Sequence, residues 1–196
     1  MTHFEVNNMN LKKPKLVGVT GCGKGRSGVT TLASGLAAAL SRTGTGNVLL
    51  VDMKNEQGVA HSFYNGKPGC GLSDVLEPEN RAEGQVNENL YVASMQDEAP
   101  NENLKVAPTG FTHLMPKIKG SDYDYIIFDM PPVSATSATP RMTGYMDIVL
   151  LVLEAERTGQ QTAARASTLM REARANVAAV LNKCRPHVPA LLGQEL

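Results

Sequence analysis

The sequence predicts a doubly wound α/β domain, with a mostly parallel sheet flanked by helices. Two observations lead to this. The apolar runs are strand-sized and nearly continuous rather than alternating, as in strands buried on both faces of a parallel sheet. They also alternate with stretches of helical period, the order that strand–helix–strand units require. A length of 196 residues favours one domain. Such a chain buries roughly 70% of its unfolded surface without a disulfide or metal staple.

Residues 1–14 carry Glu5 and no apolar run, so they read as a flexible lead-in rather than a secretory signal; the domain then occupies 15–196. Leu16–Thr20 reads as a buried strand. Thr30–Thr43 reads as a helix, because Leu32, Leu36 and Leu40 recur on one face, with Gly44 and Gly46 stopping it. Asn47–Met53 and Leu90–Ser94 are the next strands. The glycine-rich region between them (Gly58, Gly66, Gly69, Gly71, Gly84) predicts loops and one short helix near Leu72–Leu76. Tyr125–Met130 is a strand halted by Pro131 and Pro132. Ile148–Glu154 is another. Thr158 and Gln161 have the spacing of a capping box for a helix over Gly159–Ala173, and Asn176–Asn182 is a last strand.

Zero formal net charge gives no argument for a nucleic-acid partner. Cys22, Cys70 and Cys184 form an odd, widely spaced set without a zinc-ligand pattern, which fits a reducing compartment. No apolar run approaches the roughly 20 residues of a spanning helix.

The chemistry concentrates between the first strand and the first helix, from Thr20 to Thr31. Gly23, Lys24, Gly25, Arg26, Ser27, Gly28, Val29, Thr30 and Thr31 follow one another there. Glycines that let the backbone curl, placed before a helix N-terminus, make a phosphate-binding loop. Aligned with the phosphate-loop pattern, Gly23 and Gly28 are its two glycines and Thr30 its hydroxyl residue, whereas Val29 stands where a lysine reaches the β and γ phosphates. Each lost charge-assisted hydrogen bond is worth about 1.5–3 kcal/mol. The sequence therefore predicts backbone-mediated nucleotide binding with impaired turnover.

Lys24 lies five residues before Val29, where the MinD/ParA ATPases, with a Lys-Gly-Gly-x-Gly-Lys-Ser/Thr loop, carry a second lysine; the segment resembles that loop with Arg26 and Val29 as departures. Val48–Met53, Gly71–Leu76, Tyr123–Pro132, Asp147–Glu154, Asn176–Asn182 and the ending Val188–Leu192 together resemble, in order and spacing, the bacterial tyrosine kinases (BY-kinases). The likeness covers roughly residues 15 to 192. It implies a P-loop NTPase-like fold in a cytoplasmic domain at the inner face of the bacterial membrane. It also implies ATP or ADP with Mg²⁺, and a fused or docked membrane protein that controls polysaccharide chain length. A homo-oligomer is a further implication.

Carried over by position, Asp129 matches the Walker B acid and Thr30 the hydroxyl, the pair that holds Mg²⁺. Asp52 matches the first acid of the second Walker strand, and Asn182 an asparagine that reads the base. Three departures stand out: Val29, Lys54 in place of that strand's second acid, and no tyrosine cluster near the C-terminus. They favour a catalytically degenerate regulator of exopolysaccharide polymerisation and export. An active ATPase or tyrosine autokinase that uses Lys24 is the first alternative, and an interaction module without nucleotide the second. A simple pairing of Lys54 with Asp52 would account for both residues without a metal site.

Overall fold

The computed structural model describes residues 14–23, 27–43, 46–54, 70–95 and 108–184. The lead-in up to residue 13, the loop residues Lys24, Gly25 and Arg26, the stop at Gly44, the glycine-rich stretch 55–69 and the ending Val188–Leu192 lie outside the described residues.

Valine, isoleucine and leucine dominate a seven-stranded sheet in the order β3-β4-β2-β5-β1-β6-β7. Its members are β1 (Lys15–Gly21), β2 (Val48–Asp52), β3 (Gln85–Asn87), β4 (Leu90–Ser94), β5 (Tyr125–Asp129), β6 (Ile148–Glu154) and β7 (Val177–Asn182). Every pairing is parallel except β3 with β4. The expected architecture is therefore present, with one addition, the short antiparallel edge β3. Its three residues are too few to carry a periodic signal in the sequence.

Helices α1 (Val29–Thr43), α2 (Leu72–Leu76), α3 (Pro108–Gly120), α4 (Thr139–Thr143) and α5 (Gln160–Glu172) complete the described elements. The face that α1 buries deepest is Val29, Ala33 and Ala37, with Leu32, Leu36 and Leu40 packed half-buried beside it. The leucine period thus located the correct side of the helix. The small alanines form its centre, because they let the helix axis approach the sheet. Helix α3 was not foreseen from the sequence: Pro116 lies inside it, and proline costs about 3 kcal/mol in a helix interior. Burial of Phe111, Leu114, Met115 and Ile118 against the sheet offsets that cost.

The capping box before α5 does not form. Gly159 is the N-cap and receives no side-chain bond. The Thr158 hydroxyl instead accepts the Glu154 backbone N–H at 2.8 Å, closing the β6–α5 turn on itself.

Parallel pairing brings the C-terminal ends of β2, β5 and β1 side by side. Asp52 lies in register with Asp129, and Val19 with Asp129. The Met53 amide donates to the Asp129 carbonyl at 3.1 Å, and Met130 donates to Val19 at 2.9 Å. The Thr20 hydroxyl donates to the Pro131 carbonyl at 2.6 Å. Strand order reverses around β1, so the crevice outside these strand ends is where a doubly wound sheet places ligands.

Candidate functional site

At the end of β1 the chain enters the loop through Gly23 and leaves it through Gly28, both at positive φ (80° and 86°). Only glycine takes that backbone geometry without strain. The Leu32 amide bonds to the Gly28 carbonyl at 2.9 Å, so α1 starts directly behind the loop. The N–H groups of its first turn have no acceptor within the helix. With the positive end of the helix dipole they give this end of the helix the polarity that suits an anion. Thr30 and Thr31 are exposed there, as the sequence pattern requires.

Val29 turns the other way. Its side chain is buried in the cluster with Val17, Val19, Ala33 and Val152 beneath α1. The position that carries the phosphate-binding lysine in the intact pattern here supplies packing.

Asn182, at the end of β7, does reach the loop. Its Nδ2 donates to the Ser27 carbonyl at 2.8 Å, and its Oδ1 accepts the Lys183 amide at 2.9 Å. Asn182 Nδ2 lies only 2.5 Å from where a Cβ on Gly28 would fall. The side chain thus fastens the loop to β7 with one amide N–H.

The two acids lie together as expected. Asp129 is 1% exposed and Asp52 8%. Both meet Lys54, but not as a simple Lys54–Asp52 pair. Asp52 Oδ1 accepts the Lys54 backbone N–H at 3.0 Å. The Lys54 ammonium crosses instead to β5, 2.5 Å from Asp129 Oδ1, and donates to the Thr30 hydroxyl at 3.1 Å. Apart from the Lys54 ammonium, no donor reaches either Asp129 oxygen among the described residues, so the ion pair with Lys54 compensates this buried charge. In the sequence Lys54 stands as the loss of an acid and as a candidate partner of Asp52. A cation two residues past a strand-ending aspartate was the available signal for its role.

Asp129 and Thr30 are the donors expected for Mg²⁺ at a phosphate loop. Mg²⁺ demands near-octahedral oxygen ligation at about 2.0–2.1 Å, yet an ammonium already lies against both donors. No cluster of three or more His, Cys, Asp or Glu suited to a metal exists among the described residues. As arranged, these side chains do not fit a divalent cation.

Beside the loop opens a cleft of about 390 Å³, lined by Cys22, Gly23, Ser27, Glu154, Arg157, Thr158, Gly159 and Thr162. Glu154 is buried there and pairs with Lys183 at 3.1 Å and Arg157 at 3.7 Å. It escaped the sequence reading although it ends an apolar strand as Asp129 does. Burial pushes the Cys22 thiol up from its ordinary range, which disfavours the reactive thiolate.

No family model matches the sequence. The protein of Staphylococcus aureus named as tyrosine-protein kinase CapB is 24% identical over 165 residues, covering 82% of this chain and 72% of that protein. A protein of Klebsiella pneumoniae named as a tyrosine-protein kinase in the cps region is 28% identical over 134 residues, 66% of this chain. This chain spans only 18% of that relative's length. Among solved structures, the kinase domain of Escherichia coli tyrosine kinase ETK superposes with a TM-score of 0.65 at 20% identity, covering 89% of this chain and 71% of that one. A ParA family ATPase from Chlorobium tepidum superposes at 0.66 with 18% identity, over 89% of this chain and 77% of its own.

Proposed function

We propose that this chain, which is similar in sequence to tyrosine-protein kinases of capsule regions and shares its fold with a tyrosine kinase domain and a ParA family ATPase, is a BY-kinase-like regulatory domain of bacterial exopolysaccharide or capsule export. In this reading it binds a nucleoside polyphosphate weakly and turns it over slowly or not at all. It works in the cytoplasm at the inner face of the membrane, held there by a membrane-embedded chain-length protein, fused or docked. The second part rests on the family resemblance. No described helix is long and apolar enough to cross a membrane, so within these residues attachment would depend on such a partner.

One observation carries the assignment of weak turnover: Val29, at the lysine position of the loop, is buried in the core. A phosphate loop depends on that lysine to neutralise charge as the phosphoryl group transfers. Removing one preorganised stabiliser of this kind costs about 10²–10³ in rate. Backbone donors and the helix dipole remain, and they support binding.

The test is ATP hydrolysis and autophosphorylation by the purified protein, beside an intact BY-kinase domain. We expect rates at least about a hundredfold lower. Turnover comparable to the intact domain, and abolished by Asp129→Ala, would refute the proposal.

A further inference from the structure

We infer that Lys54 is a resident substitute for the divalent cation: its ammonium takes the metal's place between Asp129 and Thr30, and a nucleoside di- or triphosphate binds this site without metal.

The geometry is specific. Lys54 follows β2 by two residues, and its backbone is held by the Asp52 carboxylate at 3.0 Å. Its side chain runs across the end of β5 to the start of α1. There it meets one carboxylate and one hydroxyl, at 2.5 and 3.1 Å. These come from the two elements that present metal ligands in a phosphate loop. An ammonium has three N–H donors and no acceptor. Two point to Asp129 and Thr30; the third has no partner among the described residues. The Lys54 side chain is 26% exposed, so this donor is open to solvent, and in this proposal a phosphate takes it up.

Charge reasoning separates this arrangement from a metal site. Mg²⁺ beside Asp129 would leave a net charge of about +1 facing the phosphates, whereas Lys54 beside Asp129 leaves about zero. The ammonium offers hydrogen bonding without Lewis acidity, which suits holding a nucleotide better than cleaving it. It also repels a divalent ion from Asp129 and Thr30.

The inference rests on the nucleotide reading of the loop, and its experiment separates the two. Mn²⁺ is titrated into the protein with and without ADP, and free Mn²⁺ is followed by its paramagnetic resonance signal. The wild type should show no stoichiometric site. Lys54→Met should gain one, and adding Asp129→Asn should remove it. In calorimetry, ADP should bind the wild type with the same affinity in EDTA and in Mg²⁺. It should bind Lys54→Met about tenfold or more weakly in EDTA, with recovery in Mg²⁺.

A one-to-one Mn²⁺ site in the wild type that Asp129→Asn abolishes would overturn the inference, and this measurement requires no variant at position 54. So would a large loss of wild-type ADP affinity on adding EDTA. If Lys54→Met does not fold, Lys54→Asp, which restores the acid of the family pattern, takes its place. If ADP binds neither protein under any condition, the phosphate contact falls together with the nucleotide reading. Rapid turnover by the wild type would refute the proposed function and leave the Mn²⁺ result standing.

Discussion

The Lys54–Asp129 pair should govern stability as well as ligand choice, and a double-mutant cycle measures its share. Asp129 is 1% exposed and its partner 26%. Breaking a fully buried pair by removing one member costs about 3–5 kcal/mol. Lys54 is partly solvated, so the lower end applies, discounted to about 2–3 kcal/mol for Lys54→Met. Asp129→Asn should cost less, about 1 kcal/mol, because the freed ammonium can turn to water. The double variant should recover part of the loss and give a coupling of about 1–2 kcal/mol. For a chain of this size, Lys54→Met then lowers Tm by about 4–12 °C. Urea unfolding followed by circular dichroism in EDTA provides the assay. Additivity of the two single variants within about 0.3 kcal/mol would refute the reasoning, since it would mean that the carboxylate draws its compensation from elsewhere.

Three further outcomes follow from the geometry. Gly28→Ala should cost about 2 kcal/mol, from the positive φ and from pushing the Asn182 amide off Ser27; Asn182→Ala should cost about 1 kcal/mol in the same unfolding assay. Burial, opposed in part by the Arg81 charge, raises the Tyr123 hydroxyl above its ordinary value near 10. Stability should therefore be constant below about pH 10 and fall above it, as tyrosine ionises in the unfolded chain while Tyr123 stays neutral, with a limiting slope near 1.4 kcal/mol per pH unit. Tyr123→Phe should remove that component and, by leaving the Val75 carbonyl unpaired, cost about 1 kcal/mol at neutral pH; identical alkaline profiles for the two proteins would contradict this. Finally, Val29→Lys alone should raise ATP hydrolysis less than about tenfold, whereas Val29→Lys with Lys54→Asp should exceed about a hundredfold, read by phosphate release.

Where each strand has its own continuous apolar run, sequence and structure agree to within a residue or two. Leu90–Ser94 and Ile148–Glu154 coincide with β4 and β6, and Leu72–Leu76 with α2. Agreement fails where tertiary context overrides local preference. Helix α3 tolerates Pro116 because four large side chains reach the core, and β3 exists because β4 offers it an edge. At the site, the order of elements was enough to bring Asp52, Asp129, Thr30 and Asn182 to one end of the sheet. What their side chains do to one another was not legible. The direction of the Lys54 side chain depends on the Asp52 turn beneath it. The Asn182 amide is set by the positive-φ backbone of Gly28, and spacing in the chain encodes neither.

Arg81 illustrates the same limit away from the site. Its guanidinium lies 4.5 Å from the Tyr91 ring centroid and 4.2 Å from that of Tyr123. It also pairs with Asp122, 2.7 Å from Oδ1. The stack joins the turn before β3 to β4 and to the approach to β5. Three segments contribute to it, so no single stretch of sequence announces it.

A positive charge carried on the backbone behaves unlike an ion drawn from solution. It has no dissociation constant and no free concentration, so chelators cannot strip it and swings in cellular magnesium cannot titrate it. It is in place wherever β2 lies beside β5, and there it compensates the Asp129 carboxylate. The domain exchanges adjustability for constancy: what an ordinary phosphate loop receives from its surroundings, this one inherits at translation.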